Sequence, residues 1–132
     1  MKLKIITQER VVFDDEVDEI YTRATDGEIG ILKNHVPIMT SLEIGVTRAK
    51  INGNDKFFTT MGGILQFKDD ECTILTTVAE QGDEIDELRA KEALERAQKR
   101  LKEAKTRIDS KRADAAIARA KARLKAKLNG LD

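Results

Sequence analysis

Two pairs of arginines carry the chemistry most easily read from this chain. Arg96 and Arg100 stand four residues apart, and so do Arg119 and Arg123. On a helix that spacing puts like charges on adjacent turns, which destabilises an isolated helix by about a few tenths of a kcal/mol. A bound anion would remove the repulsion. The planar guanidinium fork matches the oxygens of phosphate, so a nucleotide phosphate is the ligand class these arginines suggest. The same charge also reads as a solvated helix face, and spacing alone leaves both readings open.

Other reactive side chains are sparse. His35 is the only histidine and Cys72 the only cysteine, which excludes most histidine-based metal clusters, zinc knuckles and any intrachain disulfide. There is no G-x-x-x-x-G-K-[ST] phosphate loop, and the glycines of "DGEIG" are not spaced as in a dinucleotide fingerprint. His35, close to Pro37, reads as a structural or contact residue rather than a general base. The acidic pairs Asp14-Asp15 and Asp69-Asp70 read as solvated turns. No nucleophile with a base beside it can be assembled, so the chain is not expected to be an enzyme.

The elements that must position the arginines follow from composition. The chain has 132 residues, 36% of them charged and 4% aromatic, against roughly 25% charged in an ordinary domain, so much of it faces water. Its formal charge of zero hides an asymmetry. Residues 1–80 hold 9 Lys+Arg against 14 Asp+Glu, and residues 81–132 hold 15 against 10. A basic tail on an acidic body suggests an anionic partner for the tail. Cys72 lies in "ECTILTT", which reads as a buried strand and fits a reducing compartment. The N-terminal apolar run is too short for a signal peptide, and nowhere do 18 apolar residues follow one another, so no membrane crossing is expected.

Seven of the eight glycines and the single proline precede residue 83, whereas alanine and long charged side chains dominate afterwards. The expected border is Gly82, with units 1–82 and 83–132. In the first unit, "LKIIT", "RVVF", "VDEIYTRA", "GVTRAKI", "KFFTTM", "GILQF" and "CTILTT" read as strands. Turns are expected at Asp26-Gly27, Asn52-Gly53, Gly62-Gly63 and Asp69-Asp70. Together they predict an antiparallel sandwich or barrel. The second unit repeats itself: "EALERAQKRLKEAK" and "AAIARAKARLKAKL" align at an offset of 23. Leu94, Ala97, Leu101, Ala104 and Ile108 mark one helical stripe, and Ala113, Ile117, Ala120, Leu124 and Leu128 the other. Asp86 and Asp109 are expected N-caps and "RIDSK" the bend, giving an antiparallel αα-hairpin. So few large apolar groups predict marginal stability, leaving a ligand or partner to decide the hairpin's conformation.

The whole chain resembles the epsilon subunit family of bacterial F-type ATP synthases. "DGEIGILKNHVPIMTSLEIG" is similar to that family's signature, and the likeness continues through "GGILQF", "TIL…AE" and "IDELRAKEALERA" to the C-terminus. Gln8 departs from a proline common there. The resemblance implies an α+β fold, an antiparallel β-sandwich of about ten strands followed by a helical hairpin. It implies a non-catalytic central-stalk subunit active in ATP synthesis and proton transport, peripheral on the cytoplasmic face of the cell membrane. The sandwich would bind the gamma subunit and the c-ring, with Glu28, His35 and Pro37 in the contact segment. In members that inhibit, the hairpin opens between alpha and beta subunits and blocks ATP hydrolysis. Lys111, Arg112, Arg119, Lys121, Arg123, Lys125 and Lys127 would supply its basic face. Some members also bind ATP without hydrolysing it, as a regulatory ligand that holds the hairpin folded. The matching positions here are Glu80, Ile85, Asp86, Arg89, Ala90, Arg96, Arg119 and Arg123.

Two other readings remain from the residues. A nucleic-acid or ribosome-associated adaptor would use the basic tail as a phosphate-binding arm, with steeply salt-dependent binding; zero net charge and few aromatics weigh against it. A plain ATP-binding sensor would differ from the first reading only in lacking rotor partners.

Overall fold

The structure is a computed structural model describing residues 1–129; the last three positions of the 83–132 unit lie outside the described residues. Eight strands precede two helices. They are β1 (Lys2–Ile6), β2 (Val11–Glu16), β3 (Glu19–Ala24), β4 (Gly27–Ile31), β5 (Ile38–Ile51), β6 (Asn54–Lys68), β7 (Glu71–Leu75) and β8 (Ala79–Gln81). A 3₁₀ turn (Gly82–Glu84) leads to α1 (Glu87–Glu103) and α2 (Arg107–Lys127). The sheet order is β2-β1-β7-β6-β5-β3-β4, with β8 also pairing β6. Among the described residues only β1 and β7 pair in parallel.

The two long strands make the sandwich. One end of β6 pairs with β8 through Phe58–Thr60 and the other with β7 through Ile64–Lys68, so the strand passes from one layer to the other. At the crossing lie Gly62 and Gly63, with φ of 78° and 113°. Residues other than glycine are strained at such angles. A Cβ on Gly63 would sit 2.1 Å from the Leu75 carbonyl oxygen. These glycines were expected to end a strand; instead they bend one, joining "KFFTTM" and "GILQF" into β6. Counted by layer, the bent β5 and β6 reconcile eight continuous strands with the expected ten or so. The segment "GEIGI" also forms a strand, which its glycines concealed. Asn52-Gly53 and Asp69-Asp70 close hairpins as expected, all four residues having positive φ.

Between the layers, Leu3, Ile5, Ile20, Ile31, Phe58, Leu65 and Ile74 are fully buried. Phe13 on β2 meets Phe58 on β6 edge to face, ring centroids 5.0 Å apart. A chain of buried hydroxyls, Thr22 to Thr47 at 2.8 Å and Thr47 to Thr60 at 3.2 Å, ties β3, β5 and β6 together. Each hydroxyl gains a partner that burial would otherwise deny it.

Asp86 caps α1 as expected, its side chain accepting from the Arg89 amide. Asp109 does not cap α2. Thr106 does, accepting from the Asp109 amide at 3.1 Å, so "RIDSK" lies within the helix and the bend is residues 104–106. Ile108 thereby moves onto α2, where it is 64% exposed. The helices bury chiefly alanine: Ala90 and Ala97 on α1; Ala113, Ala120, Ala122 and Ala126 on α2. It is α2 that packs on β5, β6 and the 3₁₀ turn. Ala122 and Ala126, outside the expected stripe, serve this second contact. At its centre Gly82 admits the backbone of α2: a Cβ there would sit 2.3 Å from the Ala126 oxygen and 3.3 Å from the Phe57 oxygen.

Gly82→Ala is expected to lift the end of α2 from the sandwich, since both obstacles are backbone; overpacking of this kind costs about 1–3 kcal/mol. Amide exchange should accelerate across the helices and stay slow in the sandwich; unchanged helix protection would refute the contact. Cys72, fully buried, has its thiol pKa pushed by burial from 9.0 up to about 12. Above pH 9 the unfolded chain loses a proton that the native state keeps, so this contribution is complete below that pH and declines as pH rises toward 12. Urea unfolding from about pH 8 to about pH 10.5 should show wild type losing up to about 1.4 kcal/mol per pH unit more than Cys72→Ala. Parallel losses in the two proteins would reject this.

Candidate functional site

Where β8 leads into α1 and meets the last turns of α2, an open cleft of about 390 Å³ is lined by Glu80, Glu84, Ile85, Asp86, Arg89, Ala90, Ala93, Arg96 and Arg123. Glu80 is held from two sides. The Arg123 Nε donates to its Oε1 at 2.8 Å. The buried Thr59 hydroxyl donates to the same oxygen at 3.3 Å and accepts from the Glu80 amide at 3.1 Å. The ion pair is about one-third exposed, 30% and 32% on its two members, so its worth is at most about 1 kcal/mol. It joins the sandwich to α2 without locking them.

The other wall belongs to α1. Ile85 and Ala90 are buried and form a small cluster with Ala126, against which Val46, Phe57 and Leu124 pack. Asp86, Arg89 and Arg96 are exposed beside this apolar patch. The start of α1 adds the partial positive charge of unpaired amides. One side of the cleft is thus apolar and the other cationic. That arrangement suits a flat ring joined to an anionic chain.

Seven of the eight positions expected to hold nucleotide line this one cleft. Arg119, one turn before Arg123 and half-buried, is not among its lining residues. Glu84 and Ala93 are additions. Ala93 follows Ala90 at helical spacing, the signal that would have found it; Glu84 lies in the 3₁₀ turn, which no periodicity marks.

The expected ring-contact residues are divided. His35 and Pro37 occupy the loop between β4 and β5. The His35 ring lies edge-on to Phe67 with centroids 5.9 Å apart, its Nδ1 2.6 Å from the Val36 carbonyl oxygen. Leu32 and Val36 of the same loop are exposed. Glu28 instead stands on β4 opposite Arg23 and lines two openings beneath α2 together with Lys125. The cations expected to form one basic face are spread around α2. Lys111 and Arg112 are solvated, Lys121 and Lys125 border the groove containing Glu28, Arg123 holds Glu80, and the Lys127 Nζ donates to the Asp83 carbonyl at 3.3 Å. Among the described residues no cluster of His, Cys, Asp and Glu could hold a metal ion, and no helix is long and apolar enough to cross a membrane.

This architecture has known counterparts. Residues 1–82 match the family described as ATP synthase, Delta/Epsilon chain, beta-sandwich domain, and residues 83–127 the one described as ATP synthase, Delta/Epsilon chain, long alpha-helix domain. The chain is 44% identical over 101 residues to the ATP synthase epsilon chain of Carboxydothermus hydrogenoformans, covering 76% of this chain and 75% of that one. It is 38% identical over 107 residues to the chloroplastic ATP synthase epsilon chain of Nicotiana tabacum, covering 81% and 80%. Its fold is similar to a chain of the Euglena gracilis mitochondrial ATP synthase, solved as OSCP/F1/c-ring, with a TM-score of 0.82 at 24% identity over 96% of this chain and 79% of the other. A chain from the central stalk/c-ring of the Tetrahymena thermophila mitochondrial ATP synthase gives 0.65 at 14% identity over 95% and 94%. Sandwich, hairpin and sequence agree, and the chain belongs to the ATP synthase delta/epsilon family as an epsilon chain of the F-type enzyme.

Proposed function

We propose that this chain is a non-catalytic subunit of the central stalk, peripheral on the cytoplasmic face of the cell membrane, whose hairpin is closed by ATP and inhibits hydrolysis when open. The sandwich is the rotor part. It binds gamma and the c-ring, and the loop containing His35 and Pro37 presents the exposed Leu32 and Val36 to a partner. A proline-stiffened loop on a hydrogen-bonded sandwich transmits torque with little lost motion.

The observation that carries the regulatory half is a cleft shared by three segments: Glu80 from the sandwich, Ile85 to Arg96 from the start of α1, and Arg123 from α2. A ligand spanning it fastens all three. Ile85 and Ala90 offer the apolar side for adenine, Asp86 accepts from a ribose hydroxyl, and Arg89, Arg96 and Arg123 face the phosphates. Arg123 then exchanges or shares its contact with Glu80. Arg119 contributes from one turn away through its charge. ATP acts as a clamp, and nothing in this role consumes it.

When the clamp is absent, α2 can leave the sandwich. Arg123 and Lys127 then lose Glu80 and the Asp83 carbonyl, Lys121 and Lys125 leave the groove they border, and all four, with Lys111, Arg112 and Arg119, become available to an acidic surface between alpha and beta subunits. The contacts of Arg123 with Glu80 and of Lys127 with the Asp83 carbonyl support this reading, because opening would free both cations.

ATP at about 100 times its dissociation constant should stabilise the closed hairpin by about 2.7 kcal/mol, visible as a higher midpoint in the thermal loss of helical circular dichroism. Arg96→Gln should weaken ATP binding about tenfold with unaltered helicity, because Arg96 is exposed and forms no ion pair with another described residue. Calorimetry showing no ATP binding to wild type would end the regulatory proposal. The partner half is tested separately: adding the chain to complex stripped of it should lower ATPase activity, more strongly for Gly82→Ala. An unaffected rate would remove the inhibitory role.

A further inference from the structure

A second opening, of about 600 Å³, remains between the sandwich and the hairpin. Its α2 residues Lys121 and Lys125 lie two positions from Arg123, about 200° around the helix, so it occupies the opposite flank from the nucleotide cleft. Small residues create it. Ala118 and Ala122 of α2 border it on one side and Gly45 of β5 on the other. The stem of Arg23 lies across that glycine, its Cβ and Cδ 3.2 and 3.4 Å from where a glycine side chain would begin. Neither surface fills the space between.

The lining has two chemical characters. Ile44, Val46, Leu94, Leu124 and Leu128 supply apolar walls, each only half-buried by the protein itself. Arg23, Lys91, Lys121 and Lys125 supply four cations, whereas among the described residues Glu28 is the only acid in the lining. Lys91 is paired with Glu87 at 3.2 Å. Arg23, Lys121 and Lys125 form no ion pair with any described residue. Wet apolar surface beside surplus positive charge favours a ligand that is itself half apolar and half anionic.

We propose that this groove binds a single-chain amphipathic anion, a free long-chain carboxylate. Its alkyl chain covers the Val46, Leu94, Leu124 and Leu128 walls, and its carboxylate lies among Lys121, Lys125 and Arg23. Charge complementarity selects the anion, and a groove of about 600 Å³ walled by the sandwich on one side and the hairpin on the other suits a single chain rather than the surface of a bilayer. Because the lining comes from β3, β4, β5, α1 and α2, the occupant holds the hairpin on the sandwich from the side opposite the nucleotide cleft. The site is independent of whether ATP binds.

The test uses the full chain without nucleotide and dodecanoate as the probe, kept below its micellar concentration, with dodecyltrimethylammonium as the charge-reversed control. Methyl NMR should show saturable shifts confined to Ile44, Val46, Leu94, Leu124 and Leu128 for the carboxylate, with far weaker ones for the ammonium. Lys121→Gln with Lys125→Gln should weaken dodecanoate binding about tenfold, as expected for two partly exposed charge contacts. The same variant should retain wild-type helicity. Equal affinity for both probes would overturn the proposal, as would shifts centred on the exposed Met39, Ile64 and Leu75 of the sandwich or binding that anionic phospholipid vesicles capture and the free acid does not.

Discussion

The close approach of α2 to the Gly82 backbone is the constraint from which the rest of the molecule follows. With a Cβ position only 2.3 Å from the Ala126 carbonyl oxygen, no other residue at this junction lets the helix lie on the sandwich in this way. Once it does, Ala122 and Ala126 become buried, Arg123 comes within reach of Glu80, and the start of α1 is brought beside both. Neither opening flanking α2 exists without that contact. A junction built from one glycine and a few alanines positions two helices while burying little apolar area, so it fixes geometry more than it adds stability.

Charge placement has the same character. The Arg123–Glu80 pair is partly solvated and Lys127 reaches only a carbonyl; contacts of this kind contribute about 0–1 kcal/mol each and weaken with salt. Lys121 and Lys125 border Glu28 without pairing with it. A helix held by such interactions can leave and return. Its composition fits the proposed opening: larger apolar residues would bind it permanently to the sandwich, whereas lysine and arginine would keep a released helix soluble and suited to an acidic surface.

The architecture was legible in the sequence wherever one local rule decided. Asn52-Gly53 had to turn, the alanine-rich repeat had to form paired helices, and Asp86 had to cap the first. The misreadings arose where two rules competed. Gly62-Gly63 satisfies both a turn and a strand that bends, and pairing with β7 and β8 on either side settles it in favour of the strand. Thr106 and Asp109 both qualify as caps; the threonine prevails because it stands one residue before the helix while the aspartate sits in its first turn. Five of the seven converging positions expected to hold nucleotide, Ile85, Asp86, Arg89, Ala90 and Arg96, follow one short segment and one helix face, whereas Glu80 and Arg123 join them only through the docking of α2 on the sandwich. Glu28 lies apart from His35 and Pro37 for the opposite reason: it adjoins the loop in sequence, but strand pairing with Arg23 carries it beneath α2, a tertiary fact that no spacing encodes.

The energies set how such a hairpin can be controlled. A ligand at about 100 times its dissociation constant adds about 2.7 kcal/mol to the form that binds it, several times what one exposed ion pair contributes. Ligand binding can therefore dominate the contacts the protein supplies. Moving a balanced element from 1:99 to 99:1 takes about 5.5 kcal/mol, beyond what one modestly saturating ligand provides. The two openings on opposite flanks of α2 share no lining residue, and the contributions of the ligands proposed for such separated sites would add. Together they would approach the full range, with the proposed partner surface for the released cations supplying the opposing free energy. A helix that is small, cationic and weakly held on two sides can thus be read as an element whose position is set by what occupies its flanks.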